Sequence, residues 1–346
     1  MEQGTLPPIF KEVAMTAYNS LARKILIKGA LPTLLALTAC GGPHSEESRA
    51  ASTNQVESAP FSMISFGDSI SSGIFADTQL GDTLTSAQEA RIFRMLFTLR
   101  DFSVSRRDGN LAFQREAGAE SRTAFTGDFP YSHKQRLRSK LGTTVVAHNV
   151  ALTGSTAREL SLQIDEAEGF YRAEQPANYI TITLGSNDYC DNITAETFRQ
   201  NIRPLFERIR RLHPHAGILV VPIPNIVSLL TREYSIGFRA FDTDIACKDL
   251  REIEGICARR ALSTASSESV RSRALEALRQ FNLVLEEETL RMNREEGRAV
   301  FTRTTALEND IDPELLAVDC YHPGKKGQEA LANETWRFVS RLNLRQ

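Results

Sequence analysis

Metal-binding spacings are missing from this sequence. Neither C-x-x-C nor H-E-x-x-H occurs in its 346 residues, so no metal site and no cofactor is expected. An excess of one charge is lacking too, since 41 Lys/Arg face 43 Asp/Glu for a net of −2. The first 40 residues hold four basic and two acidic side chains, which leaves −4 on the remainder. A mildly acidic body gains no electrostatic affinity for nucleic-acid phosphates or anionic lipid. Nucleic acid is therefore excluded as a partner, and any membrane attachment must have another cause.

The N-terminus supplies such a cause. Arg23, Lys24 and Lys28 precede an apolar run from Gly29 to Ala39 that ends at Cys40. The run falls short of the ~20 residues of a membrane-spanning helix but suits the core of a secretory signal. Leu37-Thr38-Ala39-Cys40 resembles a bacterial lipobox, in which the cysteine is acylated and becomes the mature N-terminus. Residues 1–39 are thus expected to be a signal peptide, with Met15 as an alternative start, and 40–58 a polar tether. The expected product is an exported lipoprotein of the cell envelope, and Gly41 is compatible with outer-membrane sorting.

Cysteine is scarce, and beyond Cys40 only Cys190, Cys247, Cys257 and Cys320 remain. An even number in an exported chain reads as two disulfides, with three pairings open. The short loop between Cys247 and Cys257 favours that pair, which would leave Cys190 to join Cys320.

From residue 59 onward, short apolar runs alternate with amphipathic ones. Residues 61–67, 143–151, 178–184, 217–223 and 298–302 read as strands. Residues 85–102, 132–141, 156–170, 194–212, 266–294 and 325–342 read as helices, with Thr194 as an N-cap. Strands alternating with helices predict a parallel sheet covered on both faces. The long segment 77–129 reads as a lid, a substrate-binding insertion or a solvated excursion.

In such a sheet, sites form past the carboxyl ends of strands. Gly67-Asp68-Ser69 follows the first strand and offers a hydroxyl nucleophile. A serine needs a base held by a third group. Of six histidines, His322 stands out, because Asp319 three residues earlier can fold back onto its imidazole. The other five fall in the tether, at a helix end around Pro214, or within regular elements, as His133 and His148 do. An oxyanion needs converging donors. Gly154, in Leu152-Thr153-Gly154-Ser155, and Asn187, in Gly185-Ser186-Asn187-Asp188, each follow a strand and can supply one.

The order of these four blocks resembles that of the SGNH/GDSL hydrolases over about residues 62 to 340. The resemblance implies a three-layer α/β/α sandwich around a mainly parallel five-stranded sheet, flavodoxin-like in design, spanning 59–346. It also implies a serine carboxylic-ester hydrolase with Ser69 as nucleophile and Asp319 and His322 completing a triad. The Ser69 and Gly154 N–H groups and the Asn187 amide would form the oxyanion hole. Asn187-Asp188-Tyr189-Cys190-Asp191 further resembles phospholipase B-like members. The expected partner is a small-molecule or lipid ester, acted on by a monomer. The rival readings are a carbohydrate or peptidoglycan O-acetylesterase on the same fold, and a non-catalytic envelope lipoprotein that only binds ligand.

Overall fold

The computed structural model describes residues 60–91, 122–171, 176–232, 237–240, 243–247, 257, 260, 262–293, 298–303, 309–342 and 344. The expected signal segment, Cys40, the tether, residues 92–121 of the long excursion and the 85–102 helix beyond Arg91 lie outside them.

Five short runs rich in β-branched and aromatic residues form the strands of one sheet. These are β1 (Phe61–Gly67), β2 (Val145–Asn149), β3 (Tyr179–Thr183), β4 (Gly217–Val221) and β5 (Ala299–Phe301). They pair in the order β2-β1-β3-β4-β5, every pair parallel. The interior strands β3 and β4 are buried at every position, β4 with an apolar sequence and β3 with Thr181 and Thr183 between its apolar residues. The edge strand β2 instead leaves Val146 exposed.

The crossovers carry α1 (Ser69–Ser72), α2 (His133–Leu141), α3 (Leu160–Phe170), α4 (Ser186–Cys190), α5 (Ala195–Leu212), α6 (Ile226–Thr231), α7 (Glu268–Met292) and α8 (Lys325–Val339). Their ends follow local chemistry. Ser132 and Thr194 cap α2 and α5 by accepting from Gln135 N and Thr197 N. Gly142 closes α2 in the left-handed conformation. In α5, Phe198, Ile202, Phe206 and Ile209 recur at helical spacing and are all buried.

Period-two alternation divides the core. Met63, Tyr179, Leu219 and Val221 meet Leu137 of α2 and Leu331 and Val339 of α8 on one face. Ile64, Ile180, Ile182 and Val220 point the other way and are equally buried, on the side where α3 lies against β1 and α7 against β4 and α5. The expected three-layer sandwich with a five-stranded parallel sheet is the observed architecture. Because β1 has β2 on one side and β3 on the other, the winding reverses between β1 and β3. A crevice opens past the strand ends there, and the turns bearing Ser69 and Asn187 flank it.

Candidate active site

Gly67 ends β1 at φ +147°, and a Cβ on it would come 2.2 Å from the Thr183 carbonyl oxygen. Only glycine permits that approach, so β1 and β3 stay paired to their last residues while the chain turns into α1. Asp68 caps α1 by accepting from Ile70 N at 3.0 Å. Ser69 begins the helix, nearly buried at 7% exposure.

Two buried glutamines hold this turn from opposite layers. Gln163 of α3 accepts from Gly67 N and donates to Gly67 O, both at 2.8 Å, and also donates to Ser155 Oγ at 2.9 Å. Gln328 of α8 donates to Ile70 O at 3.1 Å and accepts from Ala124 N at 2.9 Å. Nothing in the sequence singles these glutamines out, because a lone Gln within an amphipathic helix looks like any solvated position.

His322 Nε2 lies 2.8 Å from Ser69 Oγ. Its Nδ1 is hydrogen-bonded to Asp319 Oδ2, while Asp319 Oδ1 accepts from Tyr321 N and His322 N at 3.1 and 3.0 Å. With Nδ1–H donating to the carboxylate, Nε2 is left as acceptor for the serine hydroxyl. Burial pushes the Asp319 carboxyl up, but the imidazole and the two backbone amides outweigh it and hold the group below its ordinary value. Asp68 goes the other way. Burial raises it to about 6, more than the Ile70 amide, the His322 imidazole and the Ser186 hydroxyl pull it down, and its Oδ2 lacks a formed hydrogen bond.

The expected oxyanion turns are joined to this centre. Asn187, in the first turn of α4, donates one amide hydrogen to Ser155 O at 2.9 Å. Gly154 precedes that serine at φ +74°, and Ser72 Oγ reaches Thr153 Oγ1 at 3.0 Å. Thus side chains link the turns after β1, β2 and β3. Asp188 accepts from Ala157 N at 3.1 and 2.9 Å and ties α4 to the start of the α3 layer. Burial lifts its carboxyl to about 7.

Ser69, Asn187 and His322 line a cavity of about 180 Å³ whose remaining wall is chiefly apolar, including Ile226 and Leu229 of α6, Ile311 and Leu331. Asp310, Asp312 and Glu334 supply its acidic side chains. Neither Gly154 nor Asp319 is among the lining residues. The remaining described histidines have other surroundings. His133 is buried in the core 2.7 Å from Tyr179 Oη, and His213 accepts from Ala177 N at 3.0 Å.

The expected cysteine pairing needs correction. The bridges are Cys190–Cys257 and Cys247–Cys320, with Cα atoms 4.3 and 5.5 Å apart. A short loop lowers the entropic cost of closing a 247–257 ring. The fold instead brings each of these cysteines to a different site turn, Cys257 to the end of α4 and Cys247 to the Asp319–His322 turn.

Solved structures to which the chain is similar include an acetylxylan esterase from Geobacillus stearothermophilus, 14% identical, TM-score 0.43, over 82% of this chain and 97% of its own. A phospholipase A1 from Streptomyces albidoflavus is 13% identical, TM-score 0.39, over 80% and 100%. A psychrotrophic esterase from Pseudoalteromonas is 11% identical, TM-score 0.43, over 81% and 97%. No curated protein matches the sequence. The profile of the GDSL-like lipases and acylhydrolases matches residues 63–335, a span that contains all four turns described above. By that match over most of its length, the chain belongs to the GDSL-like lipase/acylhydrolase family and is a hydrolase of ester bonds.

Proposed function

We propose that the protein cleaves carboxylic esters of apolar acyl groups through an acyl-enzyme on Ser69. The observation that carries this reading is the hydrogen-bonded line from Asp319 through His322 to Ser69 at the wall of an apolar cavity. Ser69 Oγ attacks the ester carbonyl while His322 Nε2 takes the hydroxyl proton. The Ser69 and Gly154 N–H groups and the second amide hydrogen of Asn187 receive the developing oxyanion. Collapse expels the alcohol, which leaves with the proton from Nε2. Water then attacks the acyl-serine, passing its proton by way of His322 back to Ser69 Oγ.

The apolar wall favours a hydrocarbon acyl chain over acetyl, which weighs against the O-acetylesterase reading. Each methylene taken up by such a pocket is worth about 10–200-fold in selectivity. The phospholipase B-like pattern at Asn187–Asp191 agrees with a lipid ester. Acylation of Cys40 would hold a domain spanning 59–346 at the envelope surface, near lipid, as a monomer on the tether of residues 40–58.

The test is hydrolysis of p-nitrophenyl esters from acetate to palmitate by residues 41–346, with Ser69→Ala alongside. Turnover that vanishes in Ser69→Ala and peaks above acetate is the expected result. An optimum at acetate turns the reading toward the O-acetylesterase, and undiminished turnover in Ser69→Ala removes the nucleophile. Palmitate labelling of the whole chain, compared with Cys40→Ser, checks the anchor.

A further inference from the structure

Both disulfides end in the site turns, and both begin from cysteines only ten positions apart, Cys247 and Cys257. Cys320 stands between Asp319 and His322 in sequence, is fully buried, and has φ +61°. A side chain other than glycine enters that left-handed region at a cost. The turn around it is otherwise closed by Ala317 N to His322 O at 2.8 Å and Cys320 N to Ala317 O at 3.0 Å. Relaxation of residue 320 to an ordinary φ would swing His322 relative to Asp319.

The second bridge meets a similar need. Helix α4 has five residues, too few to hold itself by its own backbone bonds. Cys190 ends it, three residues beyond Asn187. Arg260, three residues beyond Cys257, adds a polar grip on the same helix. It donates from Nε to Tyr189 O at 2.6 Å and from an Nη to Ile193 O at 3.3 Å, and its guanidinium lies 4.2 Å from the Tyr189 ring centroid.

We propose that the two disulfides are positioning devices for separate halves of the reaction. Cys247–Cys320 fixes the acid–base turn, and Cys190–Cys257 fixes the oxyanion-donor helix. The assignment rests on the serine-esterase reading above.

The experiment compares two double variants of the whole chain, Cys247→Ser with Cys320→Ser and Cys190→Ser with Cys257→Ser, against wild type and Ser69→Ala. Three quantities are read: kcat and KM on a p-nitrophenyl ester, far-ultraviolet circular dichroism, and the low-field proton resonance of the His322 Nδ1–H bonded to Asp319. The Cys247/Cys320 variant should lose on the order of 10²-fold in kcat with KM within about threefold, and its low-field resonance should disappear. The Cys190/Cys257 variant should lose about tenfold in kcat and keep that resonance. Both should keep the wild-type helical signal. Wild-type kcat in both variants overturns the assignment, as does identical behaviour of the resonance in the two. Loss of rate in step with loss of helical signal also overturns it, because the bridges would then hold the fold and not the site. Undiminished turnover by Ser69→Ala would instead remove the serine-esterase reading itself, whatever the cysteine variants do.

Discussion

Two carboxylates sit beside the same imidazole, and they are buried alike, Asp319 at 1% and Asp68 at 0% exposure. Their protonation runs in opposite directions. Asp319 receives two backbone N–H groups and the His322 ring, and is held below the ordinary carboxylate value. Asp68 accepts from Ile70 N, and burial raises it to about 6 against the lowering by that amide, the His322 imidazole and the Ser186 hydroxyl. Burial is thus shared, and the donors and the imidazole around each carboxyl decide the direction of its shift. Asp319 sits in a turn whose amides converge on it, as a permanent anion must. Asp68 Oδ1 caps a helix, a task that a neutral acceptor also performs.

The sharpest way to break that contrast is Asp319→Asn. An amide there leaves the shape intact but presents N–H or an uncharged oxygen to His322 Nδ1, so the base is no longer oriented and its cation no longer stabilised. The expected loss is on the order of 10³–10⁴ in kcat, with the circular dichroism of wild type. Loss below tenfold would put the orienting role elsewhere. Next in size is Asn187→Ala, which removes the proposed oxyanion donor and should cost about 10²–10³ in kcat with little change in KM. Steady-state kinetics separates these cases, since a change confined to KM would assign Asn187 to ground-state binding.

The sheet was legible in the sequence because strands covered on both faces are short runs rich in apolar and β-branched residues. The runs at 61–67, 178–184 and 217–223 announce themselves, and the strands occupy Phe61–Gly67, Tyr179–Thr183 and Gly217–Val221. Thr194 was legible as a cap because its hydroxyl has a defined task there. The candidate site was legible in part, through the offset of Asp319 from His322 and the turns that follow strands. What the sequence did not carry is tertiary. Cysteine spacing records loop length but not which turn each thiol meets, so it does not carry the pairing. Gln163 and Gln328 reach the Ser69 turn from different helices, and nothing in a single helix marks them. The apolar cavity is assembled from α6, α8 and the 310–323 stretch, which become neighbours only on folding.

The smallest effect on rate, and the most diagnostic for the two carboxylates, belongs to Asp68→Asn. The amide oxygen can still accept from Ile70 N, so α1 keeps its cap and kcat should stay within about tenfold of wild type. Stability should respond instead. Since Asp68 in the folded protein stands at about 6 against an ordinary 3.8, the stability it contributes is complete below 3.8 and is lost as pH rises through 6. Asp319, held low, has the opposite slope, with its stabilisation present above the ordinary value and lost as pH falls through the lowered one. An amide at position 68 removes the first dependence and leaves the second. Asp68→Asn should therefore match wild type near pH 4 and exceed it near pH 8 by on the order of 2–3 kcal/mol in urea unfolding. A variant less stable than wild type near pH 8 would mean that the Asp68 anion is stabilised by its surroundings after all. The two carboxylates would then differ in position but not in kind.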